Sequence, residues 1–202
     1  MSVVRLFYPL VFLSCAWPLA SLGWDAFRGG LGVNPVETLL HATGRTALAL
    51  LIASLAITPV RRLTGWNRIQ RVRRLIGVWS FVYALCHFLT YVIFNQLGDV
   101  AAILADVTER KFIFSGMLAF AILLLLAATS TNGMIRRLGR SWQRLHRLVY
   151  IAAVAGAVHF IWGQKSDIRE PLQWSAVLAL LLGFRVWLAI RKRRVRRDEL
   201  AV

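Results

Sequence analysis

The sequence predicts an all-α integral membrane protein, a bundle of six transmembrane helices with both termini cytoplasmic. Three observations predict it. The 202 residues are 58% hydrophobic with a mean hydropathy of +0.60, well above what soluble domains of this size show. Apolar runs long enough to cross a bilayer recur at about 6–24, 41–60, 75–94, 112–129, 145–163 and 172–190. The basic residues also fall on alternate connections. With Arg5, the segments "RRLTGWNRIQRVRR" (61–74), "RRLGRSWQRLHR" (136–147) and "RKRRVRR" (191–197) hold 18 of the 25 Lys/Arg. The intervening segments 25–40, 95–111 and 164–170 hold five, with seven of the nine acids. This asymmetry places the basic segments in the cytoplasm. It also accounts for the net charge of +16 without nucleic acid, and adds contact with anionic lipid headgroups.

The elements follow in order. The N-terminal run "MSVVRLFYPLVFLSCAWPLASLG" has the short basic start and apolar run of a secretory signal peptide. Retaining it gives six helices and makes every basic segment cytoplasmic, so it is read as the first span, kinked at Trp17-Pro18. The second span starts outside with His41 and carries Gly44 and Arg45 one turn on. The third enters from the cytoplasm near Arg74 and carries His87. The fourth, 112–129, is uncharged. The fifth enters near Trp142 with His146 and carries His159. The sixth holds Arg185. Cys15 and Cys86 fall inside spans with no C-x-x-C neighbour and read as small buried hydrophobes. The connections are short, so residues 1–202 are expected to form a single transmembrane domain.

Four histidines then acquire depths. His87 and His159 each lie about 13 residues into helices that enter from the same side, which puts them at similar depth in the outer half of the bilayer. Two histidines at one depth on different helices are what a membrane b-type haem requires, one axial imidazole on each side of the porphyrin. Ala152, Ala155 and Gly156 share the face of His159 and leave room for a flat ring. Tyr83, Ala84, Thr90 and Tyr91 surround His87, and the hydroxyls are candidates to bond propionates or an imidazole Nδ1. The bland alternative for each histidine is an interhelical hydrogen bond, and for His41 it is as good a reading as any. His146 lies near the cytoplasmic face, about 20 Å from His159 and roughly 140° off its face on an ideal helix. Arg73 and Arg74 occupy the matching depth on the third helix, so a second haem would need another ligand there. Arg45 calls for an anionic partner, for which a haem propionate, a quinone oxygen or a flavin phosphate would serve, or else snorkels to the surface.

Three stretches carry a resemblance: "GGLGVNPVETLLHATGRTALALLIASLAITPVRR", "RVRRLIGVWSFVYALCHFLTYV" and "ATSTNGMIRRLGRSWQRLHRLVYIAAVAGAVHFIW". Through them nearly the whole chain resembles the ferric reductase-like transmembrane family, and within it the haem-binding membrane subunits of bacterial methionine sulfoxide reductase systems. The resemblance implies a six-helix inner-membrane cytochrome carrying haem b, one group or two, with FMN as a further candidate cofactor. Carried over by position, the haem-iron histidines are His87, His146 and His159, with Arg45, His41 and Arg74 as further cofactor-binding candidates. The family often has two histidines on its third helix, and this chain has one. The implied role is to pass electrons from the quinol pool to a periplasmic molybdopterin-containing reductase subunit. The chain itself is expected to lack a complete site for methionine sulfoxide. No G-x-G-x-x-G follows a strand, so electrons are expected from the membrane or another protein rather than from a bound nicotinamide. The two basic segments 61–74 and 130–142 are the expected borders of a cytoplasmic-side quinone or flavin pocket. Two other readings stay open on the sequence: a stand-alone ferric or cupric reductase, and a non-redox transporter or scaffold.

Overall fold

The computed structural model describes residues 2–164 and 167–199, with side chains over 7–164 and 167–191. Arg5 and the basic residues at 192–197 therefore lie outside the described side chains, and Lys165 lies outside the described residues. Among the described residues there is no strand. The helices are α1 (Ser2–Arg28), α2 (Pro35–Thr64), α3 (Arg73–Thr90), α4 (Val100–Glu109), α5 (Lys111–Ala128), α6 (Asn132–Leu138), α7 (Arg140–Leu145), α8 (Val149–Gly163) and α9 (Arg169–Glu199). Six helical stretches are long and apolar enough to cross a membrane: Phe7–Arg28, Pro35–Thr64, Asn67–Asn95, Lys111–Ala128, Arg140–Gly163 and Arg169–Arg191.

Local chemistry sets the ends of α2. Asn34 caps its start, accepting from the Glu37 amide at 3.3 Å and donating to the Glu37 carboxylate at 2.9 Å, with Pro35 in the first turn. Gly65, at φ 70°, closes its end in the left-handed conformation that suits glycine. The third and fifth spans depart from the uniform helices that the sequence suggests. A 3-10 stretch (Asn67–Val72) precedes α3, and a π-helical turn (Tyr91–Asn95) follows it. The fifth span starts as α7, passes through a 3-10 turn at His146–Leu148 and only then becomes α8. The ideal-helix angle between His146 and His159 therefore does not apply. The connection 95–111 also contains α4, started by Asp99, whose carboxylate accepts from the amides of Ala101 and Ala102 at 2.8 and 3.1 Å.

The bundle is built around two tight pairs, α2 with α3 and α5 with α8. Ser80 of α3 donates to the Ala47 carbonyl of α2 at 2.8 Å, and Ser115 of α5 donates to the Ala155 carbonyl of α8 at 2.7 Å. Small residues allow such approach, and in lipid the close packing and the interhelical bonds are what hold helices together. The shared core joins Leu48, Leu51, Ile52 and Leu55 of α2 with Leu123 of α5, Ala152, Ala153 and Ala157 of α8 and Leu178 of α9. In α2 44% of the apolar window is buried against protein, compared with 6% in each of α1 and α9. Thus α2 is central and the two terminal helices form lipid-facing flanks. Pro9 and Pro18 both sit inside α1 without ending it.

Candidate functional site

Two cavities lie along the bundle. The first, about 360 Å³, opens between α2, α3, α5 and α8. Its mouth carries Glu37, His41, Arg45, Asp106 and Arg110, and its depth carries His87 and His159. The second, about 390 Å³, lies toward the other end, among Arg73, Arg74, Ser130, Trp142, His146, Arg147 and Tyr150. Leu51 and Leu123 line both cavities.

His87 and His159 face each other across the first cavity, with ring centroids 6.0 Å apart and planes at 84°. The Nδ1 of His87 lies 2.9 Å from the Leu40 carbonyl of α2, and that of His159 lies 2.7 Å from the Phe112 carbonyl of α5. A carbonyl only accepts, so each Nδ1 carries the proton and donates it. Each Nε2 is then the ring's lone-pair nitrogen, and neither has a hydrogen-bond partner among the described residues. Fixing a ligating imidazole in one tautomer through its other nitrogen is the usual way a protein prepares it for a metal.

Both contacts are made the same way. Gly44 sits four residues after Leu40, and Gly116 four after Phe112, each one turn beyond the accepting carbonyl. A Cβ at Gly44 would lie 2.9 Å from the His87 Nδ1, and one at Gly116 only 2.6 Å from the His159 Nδ1. The missing side chains are what let each imidazole dock on its neighbouring helix. The sequence carries a signal for both, the shared spacing Leu40-x-x-x-Gly44 and Phe112-x-x-x-Gly116, and Gly116 draws no notice without it.

These residues fit a haem. Two imidazoles about 2 Å from one metal atom, on opposite sides, have centroids about 6 Å apart, matching the observed 6.0 Å. Ala84, Ala119, Ala152 and Gly156 keep the cavity open beside the rings, and Phe88, Phe120 and Phe160 give it apolar walls. At the mouth, Arg45 Nε pairs with Glu170 at 2.8 Å and Arg110 Nε with Asp106 at 3.1 Å. Both arginine side chains are more than half exposed. The Arg45–Glu170 pair is exposed on both sides and contributes less than about 1 kcal/mol, so the Arg45 guanidinium can exchange its carboxylate for another anion. His41 Nε2 lies 3.6 Å from Glu37 on its own helix, and among the described residues no interhelical bond to it is found.

Several residues around the histidines lie elsewhere than expected. Tyr83 is fully buried and donates to the Cys15 carbonyl of α1 at 2.7 Å, away from the cavity. Thr90 bonds back to Cys86 of its own helix at 2.8 Å. Ala155 packs against Ser115 and does not line the cavity. Tyr91 does line it, but its hydroxyl donates to the buried Asp106 carboxylate at 2.8 Å, where Gln96 joins at 2.6 Å. The π-turn and α4 create this cluster, and no periodicity in the sequence marks it.

The second cavity assembles differently. The His146 ring stacks on Trp142 at 3.8 Å and 26°, with Nδ1 3.1 Å from the Trp142 carbonyl and Nε2 3.4 Å from the Ser130 hydroxyl. Arg74 reaches Asn132 at 2.6 Å, tying the two basic segments together. Among the described residues no other histidine lines this cavity. Arginine offers only donors and cannot replace one as a metal ligand.

Six apolar spans, four of which surround a pair of tautomer-fixed imidazoles, define a helical membrane protein with a site that fits a haem. The chain belongs to the ferric reductase-like transmembrane family, whose profile, described as "Ferric reductase like transmembrane component", matches residues 43–157. Its similarity is more particular than that. It is 45% identical over 185 residues to the protein-methionine-sulfoxide reductase heme-binding subunit MsrQ of Rhodospirillum rubrum, covering 91% of this chain and 89% of that protein. It is 43% identical to the MsrQ of Bordetella pertussis (92% and 91% covered) and 43% identical to that of Caulobacter vibrioides (90% and 87%).

Proposed function

We propose that this chain is the haem-carrying, electron-transferring membrane subunit of a two-part reductase that repairs oxidised methionines in proteins. In this reading it is a single domain in the bacterial inner membrane, with its basic end and both termini in the cytoplasm. It takes electrons from membrane quinol and delivers them to a periplasmic molybdopterin-containing reductase subunit, which holds the site for methionine sulfoxide. The name carried by its relatives supports the reductase assignment. The observation that carries the haem assignment is the facing pair His87 and His159, 6.0 Å apart, each with Nδ1 tied to a backbone carbonyl.

His87 and His159 would hold the haem, and Gly44 and Gly116 set the orientation of their rings. Arg45 and Arg110 would bind its carboxylates at the mouth of the cavity, with His41 beside them. A haem iron ligated there supplies a one-electron couple. The protein's part is to orient the group and exclude water, which the apolar walls do. The second cavity, at the cytoplasmic end, takes the quinol or an FMN, with Arg74 and His146 on its border. The arginines favour an anionic or semiquinone form by charge. We assign one haem rather than two, because across the second cavity His146 faces arginines and no second imidazole among the described residues.

The purified full chain should show a reduced b-type spectrum. A short-chain ubiquinol analogue should reduce it, and NADPH alone should not. A colourless protein would leave the histidines as interhelical links in a transporter or scaffold. A coloured protein that reduces ferric chelates and binds no periplasmic partner would be a stand-alone metal reductase.

A further inference from the structure

Arg185 lies inside the apolar span of α9, six residues before its end at Arg191. Its Nη1 donates to the Tyr150 hydroxyl at 2.7 Å and its Nη2 to the Leu55 carbonyl at 2.5 Å. Its Nε is buried with no partner among the described residues. No carboxylate there pairs with it either. A cation kept inside a membrane span with only neutral partners is costly and calls for a functional reason. Its first partner indicates one. Tyr150 accepts from Arg185, so its own hydroxyl proton remains to be donated, and no described residue accepts it. Tyr150 lines the second cavity together with the Trp142–His146 stack and with Leu51 and Leu123, which that cavity shares with the first.

We infer that Tyr150 is the hydrogen-bond donor that fixes a carbonyl oxygen of a flat redox ring in the second cavity, with Arg185 as the residue that positions it. The stacked aromatic wall fits a planar ring. The phenol donor, backed by a guanidinium, selects an oxygen acceptor. Quinones and isoalloxazines share that chemistry. The inference rests on the proposed entry of electrons at this cavity and adds which side chain reads the ring.

The test uses the full chain loaded with haem, in detergent, with decylubiquinone and FMN as separate probes. Bound, isotope-labelled decylubiquinone should show one carbonyl stretch shifted down by hydrogen bonding. Tyr150→Phe should abolish that shift and weaken binding about tenfold, as loss of one well-formed hydrogen bond does. Its haem content and dithionite-reduced spectrum should match those of the unaltered chain. Arg185→Gln should shrink the shift, and Arg185→Lys should restore part of it. If decylubiquinone does not bind but FMN does, with the same loss in Tyr150→Phe, the quinol source falls and the Tyr150 site stands as a flavin site. If Tyr150→Phe binds both probes as the unaltered chain does, or if neither probe binds that chain, the inference is overturned. Where Tyr150→Phe binds decylubiquinone as the unaltered chain does, reduction of that chain by decylubiquinol would still support quinol as the electron source.

Discussion

At the scale of single residues the four histidines separate cleanly. His87→Ala and His159→Ala each remove a proposed haem ligand for which the surroundings offer no substitute, because Tyr83 bonds to α1 and Thr90 to its own helix. Each should lose most of its haem per protein, and quinol-driven turnover with it. His146→Ala should keep the haem and slow electron entry, since His146 lies in the other cavity. His41→Ala should keep the spectrum. Full haem in His159→Ala together with loss in His41→Ala would move the ligand from α8 to α2. The glycines give a sharper test. A methyl at Gly116 must displace the imidazole it would meet at 2.6 Å and break the bond to Phe112. Removing such an outer-sphere partner costs about 10–100-fold in affinity. Gly116→Ala should therefore weaken haem binding by that order in a haem titration, and Gly44→Ala by somewhat less. Gly183→Ala, with nothing within 4 Å, should change nothing. The histidines were legible because an imidazole in an oily run is conspicuous. The carbonyls of Leu40 and Phe112 were not, because a backbone group has no letter of its own.

At the scale of elements the spans could be read and their irregularities could not. Hydropathy reports only that a stretch is apolar, and a π-turn at Tyr91–Asn95 or a 3-10 turn at His146–Leu148 is as apolar as a regular helix. Short helix α4 escaped for the opposite reason: it is too short to register as a span, although Asp99 marks its start. Asp99→Ala should fray its first turn, at a cost of about 1 kcal/mol. Hydrogen exchange should rise at Ala101 and Ala102 and stay unchanged in α5. The two helix pairs can be probed through the serines that close them. Ser80→Ala and Ser115→Ala should each cost about 0.6 kcal/mol, the average for interhelical hydrogen bonds in membranes. That should appear as a small drop in the midpoint of denaturant unfolding, with haem content retained.

At the scale of the whole molecule the sidedness of charge governs everything proposed about direction. Reporter fusions after residues 66, 102, 137 and 167 should alternate inside, outside, inside, outside. Any other order would reverse which cavity meets the periplasm. The composition made six spans readable, because lipid imposes a length rule that applies to the whole chain, and its charge asymmetry supplies the expected orientation that these fusions test. The second cavity was legible only as two basic borders. Its aromatic wall and the phenol above it come from α7, α8 and α9 meeting in space, and that meeting depends on distant packing rather than on any local pattern.

Leu51 and Leu123 line both cavities, so the same aliphatic side chains border the two. Saturated carbon of that kind offers no foothold to water or to a hopping proton, yet it is thin compared with the reach of an electron. A protein that must move charge across a bilayer without discharging the ion gradient needs such a rectifying seal. Under the proposed function, Leu51 of α2 and Leu123 of α5, at 3% and 7% exposure, would serve as both the insulation and the conductor.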